Sequence, residues 1–404
     1  MIIDYILYVI YFFTIFTSLI YILAYVKNKK KLIKEASKNE PTITFLIPAY
    51  NSANFIENTL NNILESNYPK EKLNIIVVDN ASTDNIKDKI KKFKNVKLIR
   101  TEVKGKAHAL NIGIKEIKSE YALLLDSDTL IEKDLIRKCL AYFEDQKIGI
   151  VIPTLKPYKP KKLIEKFQVV EYSVSTFIRS LMSTYEALPA APACTMFRTE
   201  ILKKTQGYDE ENLTEDLEMA FQVKKLGYNI YNAINATAYT IIPDTFKGVH
   251  RQRMRWSYGT LYNLKKHKDI FGTKYGDFGW FFMPMFILSV FFSILLFFIF
   301  FYNLLNNGFK IIRNLILTNF KIAIDFSDFS FLNVITTLKY ILAIVIFIMA
   351  LYIFRKVKFY YETNKEDNIK IYKYVIFSLL YTPFLLYIWV MSLIFFIVNR
   401  KPQW

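Results

Sequence analysis

The stretch Tyr121–Thr129, YALLLDSDT, decides the fold of this chain. Its apolar run predicts a buried strand that ends at Asp126 and Asp128, and open α/β sheets bind their ligands at the carboxyl ends of such strands. Carboxylate oxygens at that edge suit Mg²⁺ or Mn²⁺, and a divalent ion in turn suits a diphosphate. Taken alone, DSD is more often a solvated acidic turn, so the interpretation depends on the rest of the chain.

Short apolar runs alternate with helical patterns from Thr42 to about Pro153. Strands that alternate with helices of this length indicate βαβ units, so we predict an α/β, Rossmann-like domain with a mainly parallel sheet. An amphipathic stretch follows over Leu163–Tyr185, and it predicts a helix that lies either in the membrane interface or on the sheet. A loop of small residues is predicted next, over Ala187–Phe197.

The composition is too apolar for an ordinary soluble protein and too charged for a chain that lies wholly in a membrane. Of the 404 residues, 52% are hydrophobic, yet the formal net charge is +18, which indicates a soluble domain joined to membrane segments. Lipid headgroups and a nucleotide diphosphate explain the positive charge more economically than nucleic acid, so no nucleic-acid partner is expected. Cys139 and Cys194 predict neither a disulfide framework nor a zinc site and fit a reducing, cytosolic face.

Four apolar segments are long enough to cross a bilayer. They cover Ile3–Val26, Gly279–Tyr302, Asn333–Phe354 and Tyr374–Val398. Basic residues follow the first and third segments, which predicts that these ends face the cytoplasm and that both termini lie outside. Two features weaken this topology: Phe309–Phe326 is itself amphipathic and basic, and Pro383 could break the last span into a re-entrant pair.

The spans divide the chain into four predicted regions. These are a membrane anchor (1–30), a cytosolic α/β domain (40–245), a basic aromatic interfacial segment (246–278) and a C-terminal membrane region of about three spans (279–404). The predicted location is the plasma membrane, crossed several times, with the α/β domain in the cytoplasm.

Six short motifs occur in a characteristic order. They are PAYN at 48–51, VVDNAST at 77–83, KGKAHALNIG at 104–113, DSD at 126–128, TED at 214–216 and QRMRW at 252–256. In this order and rough spacing the chain resembles the family 2 glycosyltransferases of GT-A fold. More narrowly, it is similar to the membrane-embedded branch that contains cellulose, hyaluronan, chitin and poly-N-acetylglucosamine synthases. The resemblance covers Thr42 to about Lys266 and the placement of the flanking spans.

The resemblance implies a nucleotide-sugar site at the carboxyl edge of the sheet. Tyr50 offers a ring face to a nucleobase, and Asp79 offers hydrogen-bond acceptors to it. The other residues implied to contact the nucleotide sugar are Asn51, Lys106 and Asp126. Asp126 and Asp128 are implied to hold Mg²⁺ or Mn²⁺, which would neutralise the diphosphate leaving group. Each residue also has a structural alternative, such as a turn aromatic for Tyr50 and a helix cap for Asp79.

Asp216 is the predicted general base. Inversion at a sugar carbon requires the acceptor hydroxyl to lose its proton opposite the leaving group, and in the family the aspartate of TED takes this place. The acidic first turn of a capped helix is an alternative that is compatible with this role. The predicted contacts to the acceptor or the diphosphate are Gln252, Arg253, Arg255 and Trp256, with a basic aromatic interfacial helix as the alternative.

The sequence departs from the family pattern at three places. Ser52 stands where the first motif usually has Glu, and Asn80 and Ala81 stand where the second has Asp-Gly. The segment Pro192–Phe197 lacks the glycines expected of an acceptor loop, which restricts backbone approach to a sugar. These departures bear on donor and acceptor identity more than on catalysis.

The sequence therefore predicts an inverting glycosyltransferase, an enzyme that moves a sugar from a nucleotide-sugar donor, with uridine-linked sugars favoured. The predicted acceptor is a growing polysaccharide, with export through the membrane. One alternative is a single transfer to a lipid acceptor, either a polyprenyl phosphate or a sphingolipid-like alcohol. Another is a non-catalytic membrane scaffold that keeps the fold.

Overall fold

A mixed, twisted sheet forms the centre of the domain that precedes the C-terminal membrane helices. The computed structural model describes residues 2–317, 338–361 and 369–402. The strands are β1 (Ile43–Ala49), β2 (Leu73–Asn80), β3 (Val96–Thr101), β4 (Tyr121–Leu124), β5 (Leu130–Ile131), β6 (Ile148–Pro157), β7 (Thr195–Arg198) and β8 (Asn229–Thr240). Within these ranges the sheet has eight strands in the order β3-β2-β1-β4-β7-β6-β8-β5.

Most strand pairs are parallel, as the sequence predicts. β3, β2, β1 and β4 run parallel to one another, and β6 runs parallel to β8. β7 is antiparallel to both β4 and β6, and β5 closes the edge antiparallel to β8. The carboxyl ends of β1, β2 and β4 therefore meet at one edge, and Ala49 pairs with Asp79 there.

Helices cover both faces of the sheet. Those of the first 266 residues are α1 (Ile2–Asn28), α2 (Ala53–Leu64), α3 (Ile86–Ile90), α4 (Lys106–Glu116), α5 (Leu135–Leu140), α6 (Leu163–Ser183), α7 (Thr199–Lys204), α8 (Glu215–Lys225) and α9 (Phe246–Lys266). Side chains of β1 and β2 alternate between two cores, one shared with α2, α3 and α5 and the other with α4, α7 and α8. Because β1 is buried on both faces, its sequence ITFLIPA is apolar nearly throughout.

Strand β7 corrects the prediction of a small-residue loop that extends to Phe197. Thr195–Arg198 is fully buried and pairs with β4 on one side and β6 on the other. Four residues are too few to show a strand period in the sequence. The strand forms because its neighbours on both sides supply backbone hydrogen-bond partners.

The amphipathic helix α6 combines the two positions that the sequence left open. It packs on β6 and β8 and also contacts the membrane helices. Its residues Ile164, Phe167 and Phe177 share an apolar core with Tyr25 of α1 and with the C-terminal helices. The helix is therefore sandwiched between the sheet and the membrane region.

The C-terminal region is helical. Its helices are α10 (Met283–Leu317), α11 (Leu338–Tyr361), α12 (Ile371–Ile376) and α13 (Thr382–Ile397), with a π-helical turn before α10 (Phe278–Phe282) and another between α12 and α13 (Phe377–Tyr381). Within the described ranges, four helical stretches are long and apolar enough to cross a membrane: 3–28, 278–314, 340–361 and 371–397. The chain is thus membrane-embedded, and the four stretches overlap the four predicted spans.

Two details of the predicted spans differ from the structure or fall outside it. The re-entrant alternative at Pro383 is wrong, because the helix runs on from Ile371 to Ile397. Pro383 lies in the first turn of α13, directly after the π-helical turn, where its missing N–H removes no regular hydrogen bond. The start of the third predicted span (333–337) and part of the basic amphipathic segment (318–326) lie outside the described residues.

Candidate active site

The carboxyl edge of the sheet brings the predicted nucleotide residues together. Tyr50 follows β1 directly, and Asp79 lies near the end of β2, in register with the last residue of β1. Leu124 at the end of β4 pairs with Leu46, which brings Asp126 to the same edge. Parallel neighbours with register this close carry their terminal side chains into one crevice.

The predicted base-binding end of this edge is a network around Asn51 and Asp79. The Asp79 carboxylate is buried and accepts hydrogen bonds from the Ser82 backbone N–H at 3.0 Å and from Arg100 at 3.3 Å. Asn51 accepts a hydrogen bond from the Thr83 N–H at 2.8 Å. Both side chains thus hold the loop after β2, while the ring of Tyr50 is 47% exposed and available to a ligand.

Lys106 forms ion pairs with two carboxylates at the other end of this edge. Its ammonium lies 2.5 Å from a carboxylate oxygen of Asp126 and 3.9 Å from one of Glu215. Burial alone would lower the pKa of Lys106, but the carboxylates of Asp126 and Glu215 outweigh it and raise that pKa. The lysine therefore stays charged and supplies the positive charge beside Asp126.

Asp128 completes the predicted metal pair. Burial, together with the nearby Asp126 carboxylate, raises the pKa of Asp128, because two like charges lie close together. No group of three or more His, Cys, Asp or Glu side chains that could hold a metal ion occurs among the described residues. Two carboxylates fit a divalent ion that also takes oxygens from a substrate diphosphate and from water.

Asp216 lies in the first turn of α8, beside the same cavity as the sheet edge. Its carboxylate is partly exposed, accepts a hydrogen bond from the Leu217 N–H at 2.8 Å, and lines the same cavity as Asp126. Burial and the Asp216 charge raise the pKa of the neighbouring Glu215, although Lys106 opposes this. The site therefore contains carboxylates both at the sheet edge and at the start of α8.

Helix α9 separates its predicted site residues into two groups. Gln252, Arg255 and Trp256 line the cavity, and Arg255 donates a hydrogen bond to the Leu213 carbonyl at 3.2 Å. Arg253 does not line it: its buried guanidinium binds Glu171 of α6 through two hydrogen bonds, at 2.8 and 2.7 Å. The guanidinium carbon of Arg253 also lies 4.1 Å from the centroid of the Trp256 ring. The structure thus places Arg253 behind the indole, where it fixes the orientation of Trp256.

Asn111, in the motif KGKAHALNIG, binds the backbone of Tyr208. Its amide donates to the Tyr208 carbonyl at 2.8 Å and accepts from the Tyr208 N–H at 2.7 Å. These bonds tie α4 to the segment before α8. Asn111 therefore supports the site through backbone packing.

A cavity of about 450 Å³ joins the carboxylates to the membrane region. Its walls include residues that sequence reasoning missed, namely Tyr172, Ser175 and Arg179 of α6 and Met283 and Phe286 of α10. A signal for the first three was present, because they lie at i, i+3 and i+7 on one helix face. The two on α10 carried none, since their sequence reads only as membrane span.

The sheet, its acidic edge and the adjoining membrane helices define a membrane-embedded glycosyltransferase of GT-A fold. The family model described as "Glycosyltransferase like family 2" matches residues 41–259 of the 404-residue chain. The chain belongs to this family, and it is a transferase related to polysaccharide synthases.

Two curated relatives and one solved structure illustrate the similarity. A poly-beta-1,6-N-acetyl-D-glucosamine synthase of Staphylococcus epidermidis is 30% identical over 239 residues, 57% of this chain and 58% of the relative. A synthase of the same name from Staphylococcus aureus is 30% identical over 224 residues, 54% of each chain. The chain thus matches less than two thirds of the length of these relatives. The mannosyltransferase PcManGT from Pyrobaculum calidifontis, solved with GDP-Man and Mn2+, has a TM-score of 0.60 at 18% identity and covers 98% of this chain and 100% of its own, which shows a shared fold.

Proposed function

We propose that this protein is an inverting glycosyltransferase that moves a sugar from a nucleotide-diphosphate donor, uridine-linked, to a growing polysaccharide. The observation that carries the proposal is the cavity in which Lys106 and Asp126 at the sheet edge face Asp216 and Trp256. A donor fits the edge and an acceptor sugar fits the aromatic side, with a carboxylate on the acceptor's path. The names of the Staphylococcus relatives support a polymer of N-acetylglucosamine as the first product to test.

In the proposed reaction Asp216 accepts the proton of the acceptor hydroxyl as its oxygen attacks the anomeric carbon of the donor. The bond from that carbon to the diphosphate oxygen breaks, and the nucleoside diphosphate leaves with the electron pair. Lys106 neutralises charge at the leaving diphosphate, and Tyr50 and Asp79 hold the base. Asp126 and Asp128 would hold Mg²⁺ or Mn²⁺, which supplies electrostatic stabilisation of that leaving group when bound; the relative PcManGT was solved with Mn2+ and GDP-Man.

We propose that the chain has the four regions, and the orientation in the membrane, that the sequence predicts. The α/β domain (40–245) and interfacial segment (246–278) would lie at the cytoplasmic face of the plasma membrane, between the anchor (1–30) and the C-terminal spans (279–404). Nucleotide sugars are then available on the side of the site, and the helices beside the cavity lead the product towards the membrane. Substrate partners are the donor, the carbohydrate acceptor and the bilayer.

A single transfer to a lipid acceptor is the second candidate. Met283 and Phe286 at the start of α10 form an apolar wall of the cavity, so a lipid chain could approach along the membrane helix. Extraction of labelled product separates the two: a lipid product enters organic solvent, and a polysaccharide stays in water as a long chain.

The test is nucleotide release by the purified protein in nanodiscs with Mn²⁺, over a panel of uridine- and guanosine-linked sugars, followed by sizing of the product. We expect Asp216→Asn to lower transfer by at least about 100-fold, because the acceptor proton then has no base. Asp88→Asn is the matched control, since that aspartate is 73% exposed on the surface. Transfer that survives Asp216→Asn unchanged would contradict the role of Asp216. No transfer by the wild type from any donor would favour a scaffold that carries no catalysis of its own.

A further inference from the structure

Arg179 is a cation in the cavity that the proposed reaction does not use. It lies on the face of α6 that also presents Tyr172, Ser175 and Met182 to the cavity. Three cationic side chains line this cavity: Lys106, Arg179 and Arg255. Lys106 is paired with Asp126, and Arg255 donates to the Leu213 carbonyl. Arg179 is thus the cation of the three for which these contacts supply no partner.

No dedicated counter-ion stands beside Arg179. Within the described ranges of the chain, its guanidinium makes no hydrogen bond and no ion pair; only its backbone carbonyl is engaged, by Ser183. Burial lowers the pKa of Arg179, and the nearby Tyr172, Asp216 and Glu171 oppose this only in part. Glu171 is already paired with Arg253 and accepts a hydrogen bond from Tyr381. An arginine stays protonated even so, and Arg179 therefore contributes a positive charge to the cavity wall.

The groups near Lys106 differ from those near Arg179, which distinguishes the positions of these two cations. The pKa of Lys106 is raised chiefly by Asp126 and Glu215, whereas the groups that act on the pKa of Arg179 are Tyr172, Asp216 and Glu171. Asp216, the candidate base, lines the same cavity as both cations. Lys106 lies at the sheet edge, on the side of the proposed donor. Arg179 lies on the side of the cavity that α6 and the membrane helices form.

We propose that Arg179 binds a phosphate group in the cavity, an inference that rests on the proposed sugar transfer. A guanidinium matches phosphate through two parallel N–H···O bonds, and desolvation strengthens them. Two sources share this chemistry: the phosphate of a lipid-linked acceptor, whose chain would follow Met283 and Phe286, and the diphosphate released from the donor. The same arginine would set acceptor class in the first case and product release in the second.

The test measures binding and needs no turnover. Wild-type protein in detergent is titrated with farnesyl phosphate, with farnesol as the uncharged match, and with UDP plus Mn²⁺, by isothermal titration calorimetry. The variants are Arg179→Gln, Arg179→Lys and the control Lys166→Gln, which removes an exposed cation from the same helix. We expect Arg179→Gln to lower the affinity for one of the two phosphate ligands by at least about tenfold. Lys166→Gln should change neither affinity.

The ligand whose affinity falls identifies the source of the phosphate group. A loss confined to farnesyl phosphate, with farnesol unaffected, assigns Arg179 to a lipid-phosphate acceptor; a loss for UDP assigns it to the leaving diphosphate. Equal affinities of wild type and Arg179→Gln for both ligands overturn the inference, and equal melting temperatures guard against misfolding. Binding through Arg179 in a protein that transfers no sugar from any donor contradicts the proposed function and leaves the phosphate site standing.

Discussion

At the scale of single residues, two departures from the family pattern lie at left-handed backbone positions. Ala81, which stands where the second motif has glycine, has φ 56°, and Cys194, in the segment without glycines, has φ 62°. An L side chain in this region costs about 1–2 kcal/mol because Cβ crowds the following carbonyl. The chain therefore holds two non-glycine residues in the backbone region that favours glycine.

This conformation predicts that Ala81→Gly stabilises the protein. Glycine removes the Cβ clash and loses part of the gain to its greater freedom in the unfolded chain, so the expected net effect is about 0.5–1 kcal/mol. The Ala81 N–H donates to the Thr101 carbonyl at 2.9 Å, and the substitution leaves this bond intact. The measurement is the midpoint of thermal unfolding in detergent.

Ala141→Gly is the control, because Ala141 has φ −56°, where glycine relieves no backbone strain and brings its entropic cost and the loss of a buried methyl group. We expect this variant to melt at a lower temperature than the wild type. A fall of similar size in Ala81→Gly would show that the backbone at residue 81 is unstrained.

At the scale of elements, the contact of α9 with the loop before α8 sets the distance between Trp256 and Asp216. A Cβ built at Gly259 would overlap the Thr214 side chain, so the helix approaches the loop closely. One turn further on, buried Asn263 donates to the Thr214 hydroxyl at 2.9 Å and accepts from Asn212 at 2.8 Å. The loop that carries the candidate base is thus fixed to the helix that carries the tryptophan.

Gly259→Ala should therefore lower the rate of sugar transfer strongly and the melting temperature only slightly. The added methyl group pushes α9 from Thr214 by a fraction of an ångström or more, and misplacement on this scale costs about 10- to 100-fold in rate. The measurement is the rate of nucleotide release at saturating donor, beside the melting temperature.

Gly308→Ala serves as the reference for this variant. A Cβ at Gly308 meets nothing within 4 Å, so the same substitution there should leave transfer unchanged. Full activity in Gly259→Ala would mean that the contact between α9 and the loop does not position the two site residues.

At the scale of the whole molecule, one buried polar cluster joins the catalytic domain to the last membrane helix. Glu171 of α6 binds Arg253 of α9 at 2.7 Å and accepts a hydrogen bond from Tyr381 at 3.0 Å. The side chains of Arg253 and Glu171 are only 4% and 19% exposed. Around this cluster α9 packs along α13 through paired rings, Phe246 with Phe384 and Tyr258 with Phe396.

We expect Arg253→Met to destabilise the protein by about 3 kcal/mol or more, because it leaves the Glu171 charge buried without its partner. The double variant Glu171→Leu/Arg253→Met should recover most of this loss, since it removes both charges together. Thermal unfolding in nanodiscs measures both effects.

An exposed ion pair provides the comparison. Lys97 and Glu116 pair at 2.5 Å with side chains 55% and 41% exposed, so Lys97→Met should cost no more than about 1 kcal/mol. If Arg253→Met melts no lower than Lys97→Met, the cluster does not join the domain to the membrane helix energetically.

Local patterns in the sequence predicted much of this architecture. The alternation of apolar runs and helices gave the mainly parallel sheet, and YALLLDSDT placed two carboxylates at its edge because strand burial and strand end are encoded within a few residues. Length and hydropathy located the membrane helices for the same reason. The short strand β7 was not predicted, since only its neighbours on both sides specify it.

The sequence by itself determined the fold class, the family and which residue types meet at the sheet edge, because each depends on periodicity or motif order along the chain. Only the tertiary structure decided which side of a helix faces the cavity. Arg253 and Arg255 belong to one motif, yet one binds Glu171 behind Trp256 and the other lines the cavity. Arg179 and Phe286 come from segments with no motif and meet the site across long sequence separations. The physical reason is that helix rotation and packing are fixed by contacts with distant elements, which no local pattern records.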